Sequence, residues 1–447
     1  MDYSLNLLEG LSCNGTLSCP TLYECVNDAC VHKSPFPPTQ REIIGSILIV
    51  FFGGLANAGG MGGTFAILPI LVTIFNYDPI PAIRTVYGMV FAGAVGNFLT
   101  TGFTREKITL KPLINYNMCL ICIPMLLCGA SLGVIIKSYL PPVITITGLE
   151  LILFNNIYKI NKRAKSQYAQ ETTANNQLKS DLLEKGGQEI ELTPIDYQQH
   201  ETIMKFPRAL AIMREERNMF PRKKYQEIFM LLICMMALLV LRGNKTFSSI
   251  IGVEFCQSGY WMIYFLALGV CFYFGLRAKA IVLGEVEMKR QIEGESVNKE
   301  QGMNLTSENI TALSTTALVG GILAGMIGIG GGMIIGPTML DIGMNGQTTT
   351  ATCGFFILFT SFISLFQTLL AGEVNLIELV FFASLSSIGA LAVSKYLLYL
   401  VRKYNRPSIM LFSLVYAMCV GAMIIPSYAA LRTVQEPELM LSVGQLC

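Results

Sequence analysis

The sequence predicts an all-α polytopic membrane protein built from two pseudo-symmetric repeats of about four hydrophobic segments each. Three observations carry this. Hydrophobic residues make up 52% of the 447 and charged residues 14%, against roughly 25% charged in an ordinary soluble domain. Uncharged runs of bilayer-crossing length recur, and about 20 apolar residues suffice for one crossing. Finally, the chain repeats itself: the stretch from Gly53 to Pro69 returns from Gly321 to Pro337 at an offset of 268, with eight of seventeen positions identical.

Residues 1–42 precede the membrane. Met1–Gly10 has neither a basic start nor a continuous apolar run, so the first membrane segment is expected to serve as its own targeting signal. Cys13, Cys19, Cys25 and Cys30 fall within eighteen residues of polar sequence. They read as a two-bridge disulfide staple with three possible connectivities. The rival is a zinc site using these cysteines with His32, disfavoured because no two of the four form a Cys-x-x-Cys pair. Asn14 opens an N-glycosylation pattern, and Asn244 opens another. Both features put the N-terminus on an extracellular or lumenal face.

Repeat one spans 43–160. Its first segment, Ile43–Tyr77, carries the glycine cluster; Thr85–Thr104, Pro112–Ile136 and Ser138–Tyr158 follow. A polar loop at 161–224 is rich in Gln, Glu, Lys and Asn, and little structure is expected there. Two intervening transmembrane helices occupy 225–277, and a second polar loop 278–308. Repeat two spans 309–431 with segments Asn309–Leu340, Ile342–Gly372, Leu376–Ser394 and Pro407–Leu431, and a tail covers 432–447.

Basic residues test the topology, because Lys and Arg accumulate in cytosolic loops. If each glycine-broken segment dips in and returns to its own face, with the N-terminus outside, 25 of the 32 Lys and Arg are cytosolic. Full crossings with the N-terminus outside leave only 8 cytosolic. Full crossings with the N-terminus inside leave 24, but place the Cys-rich segment in a reducing compartment. The first arrangement is preferred, and it makes the two repeats inverted.

The glycine clusters carry the functional expectation. Broken membrane helices in corresponding positions of two halves point to a transporter's substrate site. Successive glycines aim backbone N–H groups into a concavity suited to anions, and a half-helix beginning after them adds its positive end. Gly60, Gly62, Gly63 and Thr64 form one such cluster; Gly328, Gly330, Gly331 and Gly332 form the other. The bland reading is close helix packing, which duplication with a downstream proline argues against. The next segment of each repeat adds Arg84 and Thr85, or Thr348, Thr350 and Thr352. A guanidinium can grip a carboxylate or sulfonate with two donors, or it can snorkel from a segment end. Glu150 stands inside the fourth segment as the candidate for proton coupling, its alternatives being a partner for Arg84 or Lys137 or a place facing water. Cys119 and Cys122 read as small packing residues. No Walker or HExxH motif is present and the two histidines, His32 and His200, lie in polar segments. Enzymatic chemistry, a metal site, a cofactor and nucleic-acid binding are therefore not expected.

Gly60-Met61-Gly62-Gly63 with Pro69, and Gly328-Ile329-Gly330-Gly331-Gly332 with Pro337, resemble the duplicated signature of the sulfite exporter TauE/SafE family. The resemblance covers both repeats, roughly 43–160 and 309–431. It implies secondary transport of sulfite, sulfonates or other small organic anions. The Cys-rich N-terminus and the long loop between the repeats look like the eukaryotic branch. A membrane receptor or scaffold and an anion channel are the alternative functions.

Overall fold

The computed structural model describes residues 23–26, 29–32, 38–77, 79–105, 111–184, 215–244, 247–293, 306–327, 331–372 and 374–435. The expected sites Cys13, Cys19, Asn14, Gly328 and Gly330 lie outside these residues, as do the side chains of Cys25 and Cys30.

Almost all of the described chain is helical. The exception is a two-stranded antiparallel hairpin of β1 (Tyr23–Val26) and β2 (Ala29–His32), whose register sets Cys25 opposite Cys30. It departs from the all-α expectation, and it lies ahead of the first membrane segment. Among the described residues, eight helices are long and apolar enough to cross a membrane.

The first broken segment comprises α1 (Gln40–Leu48), a π-helical turn (Ile49–Gly53), α2 (Gly54–Ala58) and, past the break, α3 (Thr64–Thr73). Thr39 and Glu42 start it as a capping box, each closing a donor on the other. α4 (Pro79–Thr101), α5 (Tyr116–Tyr139) and α6 (Pro142–Glu184) complete repeat one. α7 (Arg222–Arg242) and α8 (Ser258–Glu293) intervene. α9 (Ser307–Ile327) and α10 (Gly332–Asp341) form the second broken segment, followed by α11 (Gly346–Ala371), α12 (Leu376–Tyr404) and α13 (Ser408–Gln435).

Arg41 Nη2 donates to Thr73 O at 2.6 Å, so α1 begins where α3 ends. The first broken segment is therefore a hairpin open to one face of the bundle, here called the α1 face. The second opens to the opposite face. There Lys224 ties the start of α7 to Asn117 at the start of α5 and, at 3.0 Å, to Glu285 near the end of α8. Lys279, in the second half of α8, reaches Thr311 at the start of α9 at 2.8 Å. α10 leads into α11, whose Thr352 Oγ1 accepts from Asn115 N at the start of α5 at 3.1 Å.

Apolar burial gives no drive for helices to associate in lipid, so close approach and polar contacts must hold them together. α5 and α9 meet through Gly129 and Gly133 on one side and Gly321 and Gly325 on the other. A Cβ at Gly129 would strike the Leu318 carbonyl oxygen, and one at Gly321 that of Leu126. The first hairpin packs on α12 in a like manner, Gly54 against the Gly389 backbone and Gly389 against Val50. Each broken segment thus leans on the third helix of the other half of the chain.

The loop expectation at 161–224 needs correction. α6 continues to Glu184, far beyond the membrane segment. Tertiary contacts hold this polar extension: Arg163 pairs with Asp341 at 2.8 Å, Glu171 accepts from the Ser408 backbone and hydroxyl at 2.9 and 2.6 Å, and Arg406 lies 4.1 Å from the Tyr168 ring centre. Similarly, α8 runs to Glu293, past the expected boundary at 277. Cys256, in the loop between α7 and α8, is disulfide-bonded. Cys119 and Cys122 are free and buried, as packing residues would be.

Candidate functional site

The half-helices that follow the two glycine clusters occupy aligned positions, Thr64–Thr73 and Gly332–Asp341, ten residues each. Pro69 and Pro337 stand at the same turn of each. Proline lacks an N–H, so the carbonyl four residues earlier loses its helical partner. At the second site that carbonyl is Met333 O, and Asn156 Nδ2 of α6 donates to it at 3.4 Å. A buried polar group in α6 thereby steadies the break.

The breaks meet. A Cβ on Gly332 would lie 2.7 Å from Gly60 O, and one on Gly60 would lie 2.5 Å from Thr350 O of α11. Cys353 of α11 sits against both glycines. Gly60, Gly62 and Gly63 have φ of 74°, 82° and 80°, the left-handed region where a side chain costs about 1–2 kcal/mol per residue. Gly63 is the N-cap of α3; its carbonyl takes the amides of Ala66 and Ile67 at 3.0 and 2.9 Å. The amides of Thr64 and Phe65 belong to the first turn, whose donors have no intrahelical acceptor.

A polar chain fixes the first break. Asn57 Nδ2 donates to Gly53 O at 2.8 Å, Asn97 Nδ2 of α4 to Asn57 O at 3.0 Å, and Ser394 Oγ of α12 to Asn97 Oδ1 at 3.0 Å. All three side chains are buried. Asn57, Asn97, Ser394 and Asn156 are not among the site residues expected from the sequence. Amides and hydroxyls inside uncharged spans were the available signal.

Beside the breaks lies a cavity of about 180 Å³, enclosed by α3, α4, α5, α7, α8, α9 and α11. Thr64, the first residue of α3, lines its inner end, and Ala324 and Gly325 of α9 line another wall. α11 contributes one polar face: Thr360, Ser361, Ser364, Gln367 and Thr368, positions that recur on one side of a helix.

The other expected residues divide. Thr350 is part of the contact between the breaks, but its hydroxyl donates to Gln347 O at 3.0 Å. Thr352 donates to Thr348 O at 2.6 Å and accepts from Asn115 N, so it serves helix packing. Thr348 is half-buried one turn earlier. Gly331 is buried and packs against Leu126. Arg84 and Thr85 are not at the breaks. Gly93 of α4 packs against Asn57, and Arg84 precedes it by nine residues, about 14 Å along a helix. Thr85 turns its hydroxyl to Pro81 O at 3.1 Å. Glu150 is half-buried, and both carboxylate oxygens are shielded without a hydrogen-bond partner. It is therefore partner to neither Arg84 nor Lys137.

Comparison with known proteins gives a consistent picture. The family model described as "Sulfite exporter TauE/SafE" matches residues 218–424. Among curated relatives, Sulfite exporter TauE/SafE family protein 2 of Arabidopsis thaliana is 27% identical over 407 residues, covering 88% of this chain and 84% of the relative. Family protein 1 of the same plant is 28% identical over 399 residues, covering 87% and 84%. Family protein 5 is 25% identical over 399 residues, covering 87% and 83%. No solved structure gives a significant match. A family match across the second broken segment, with relatives aligned along most of the chain, makes this multi-pass membrane protein similar to the sulfite exporter TauE/SafE family.

Proposed function

We propose that the chain is a secondary transporter that moves a small anion across the membrane, binding it beside the paired glycine breaks. The observation that carries this reading is the meeting of Gly60 and Gly332 next to a cavity that reaches Thr64. Orphan amides at the start of α3 provide neutral donors with a positive helix end behind them. Non-helical backbone is tolerated at membrane depth where it is packed in protein or lines a hydrated cavity. Gly62, Gly63 and Thr64 in the first break and Gly331 and Gly332 in the second are the backbone of this site; Thr350 of α11 packs against Gly60. The relatives are named as sulfite exporters, so sulfite and sulfonates are the first anions to try.

The two hairpins open to opposite faces, which supports inverted repeats and alternating access. The face where α5, α7 and α11 begin carries the basic segments and is the cytosolic one. The disulfide at Cys256 in the opposite loop supports the same orientation, since disulfides persist in oxidising compartments. Glu150 is the proton-coupling residue in this reading, because an unpaired ionisable group at membrane depth is costly to keep for structure alone.

The deciding experiment is counterflow in proteoliposomes with a panel of radiolabelled sulfite, sulfate, sulfonates and carboxylates. Saturable uptake of one class supports the transporter. Flux that never saturates makes it a channel, and no flux of any anion turns the reading toward a receptor or scaffold.

A further inference from the structure

The cavity has a second end, far from the glycine breaks. Along α11 its lining runs from Ile357 to Thr368, eleven residues or about 16 Å of helix, toward the α1 face. Arg242, the last residue of α7, and Tyr264 of α8 line that outer end. Arg242 Nε is shielded from solvent and has no hydrogen-bond partner; the same holds for the hydroxyl of Tyr264, a residue only 3% exposed. No carboxylate pairs with Arg242 among the described residues. Its guanidinium instead lies over two rings, 5.1 Å from the centre of Tyr260 and 5.4 Å from that of Tyr264.

Buried polar groups are nearly always hydrogen-bonded, so two unsatisfied donors on residues that line one cavity call for an explanation. A structural cation–π stack accounts for the rings under Arg242, but not for the unpaired phenol. A ligand rich in acceptors, with no donor of its own, satisfies both. A guanidinium presents planar paired donors that match an oxyanion with two or more oxygens better than a spherical halide. We propose that Arg242 and Tyr264 form an anion-capture subsite at the α1-face mouth of the cavity, selective for soluble oxyanions such as sulfate and sulfonates. From there the hydroxyl and amide groups of Ser364, Gln367 and Thr360 lead inward to Thr64. A fixed cation in a low-dielectric cleft also concentrates anions at its mouth. The role of the subsite rests on the proposed transport function, but its existence does not.

The protein carries its own reporter. Trp261 is the chain's one tryptophan, and its ring centre lies 5.7 Å from Tyr260 and 5.8 Å from Tyr264. Fluorescence of the full-length purified protein is titrated with sodium sulfate, methanesulfonate and, as the comparator, sodium chloride. Saturable change with sulfate or methanesulfonate, and a much weaker response to chloride, is expected. Tyr264→Phe keeps the ring and removes the unpaired hydroxyl; it should weaken oxyanion affinity about tenfold, as loss of a charge-assisted hydrogen bond does. Arg242→Gln should weaken it at least as much, with Arg242→Lys between. In proteoliposomes the same variants should raise KM for anion presented at the α1 face, a loss that high anion concentration overcomes.

Wild-type affinity retained in both Tyr264→Phe and Arg242→Gln overturns the subsite, as do equal responses to chloride and sulfate. Stronger competition by a short-chain phosphatidylglycerol than by sulfate reassigns the site to a lipid headgroup. If fluorescence titrates but no anion is transported, the transport reading falls and the subsite stands.

Discussion

Gly332 lies directly against the carbonyl oxygen of Gly60, so close that a Cβ at 332 would come within 2.7 Å of it. Two segments separated by more than half of the chain therefore meet at their points of breakage. Gly60→Ala adds a methyl group 2.5 Å from Thr350 O at a φ of 74°. Backbone strain and overpacking together cost about 2–5 kcal/mol. We expect Gly60→Ala and Gly332→Ala to lower the thermal midpoint in detergent and abolish transport. Gly148→Ala, where nothing lies within 4 Å, should be neutral. A Gly60→Ala protein with wild-type midpoint and flux would refute the contact.

Asn97 joins three helices around the first break, donating to Asn57 O and accepting from Ser394. Asn97→Leu leaves the buried Ser394 hydroxyl without its acceptor and the Asn57 carbonyl with the Gly60 amide alone, at about 1–3 kcal/mol for the unsatisfied hydroxyl. The expected result is a lower unfolding midpoint and a larger proportional loss of transport than of folded protein. Ser394→Ala, which removes only one partner, should be milder.

Glu150 is expected to carry the pH dependence of transport, since its carboxylate oxygens are shielded and unpaired. Glu150→Gln has nearly the same shape and cannot ionise. Flux measured across a range of external pH should lose its pH dependence in this variant while the protein still folds. An unaltered pH profile removes Glu150 from the coupling path.

Two ion pairs of similar length should differ in worth. Arg163 and Asp341 pair at 2.8 Å but are 50% and 55% exposed, so Arg163→Ala should cost below about 1 kcal/mol. Lys224 and Glu285 pair at 3.0 Å with 6% and 14% exposure. Lys224→Met strands a mostly buried carboxylate, and removing one partner of such a pair costs about 3–5 kcal/mol. Thermal unfolding of the two variants checks the order; equal losses would contradict it.

The orientation is open to a direct check. A glycosylation reporter inserted near residue 195, between α6 and α7, should stay unmodified, while one in the loop around Asn244 should be modified. The reverse pattern overturns the assignment of the basic face to the cytosol.

Much of the architecture was written in local pattern. Membrane class and the position of both breaks follow from uncharged runs and duplicated glycines, because lipid permits only satisfied backbone and glycine takes the positive φ at Gly60, Gly62 and Gly63 at the least cost. The N-terminal hairpin and the long α6 extension did not show. Strands of four residues leave little periodicity, and polar helix depends on partners such as Asp341 and Ser408 that come nearly two hundred residues later or more.

The candidate site was legible as backbone and less so as side chains. Spacing along a helix placed Arg84 one segment after the glycines, but the level at which α4 crosses the break is set by Gly93 against Asn57. Nothing local in the sequence marks Arg242, because its setting depends on Tyr264 from the next helix and on a cavity lined by seven helices. Sequence alone determined that this chain crosses a membrane and breaks two helices in corresponding places, since both follow from the free energy of single residues in lipid. Only the tertiary structure decided that the breaks touch, which polar groups steady them and that Arg242 Nε lacks a hydrogen-bond partner among the described residues. Those are properties of pairs of residues distant in the chain, and close packing of glycine-lined helices is what brings them together.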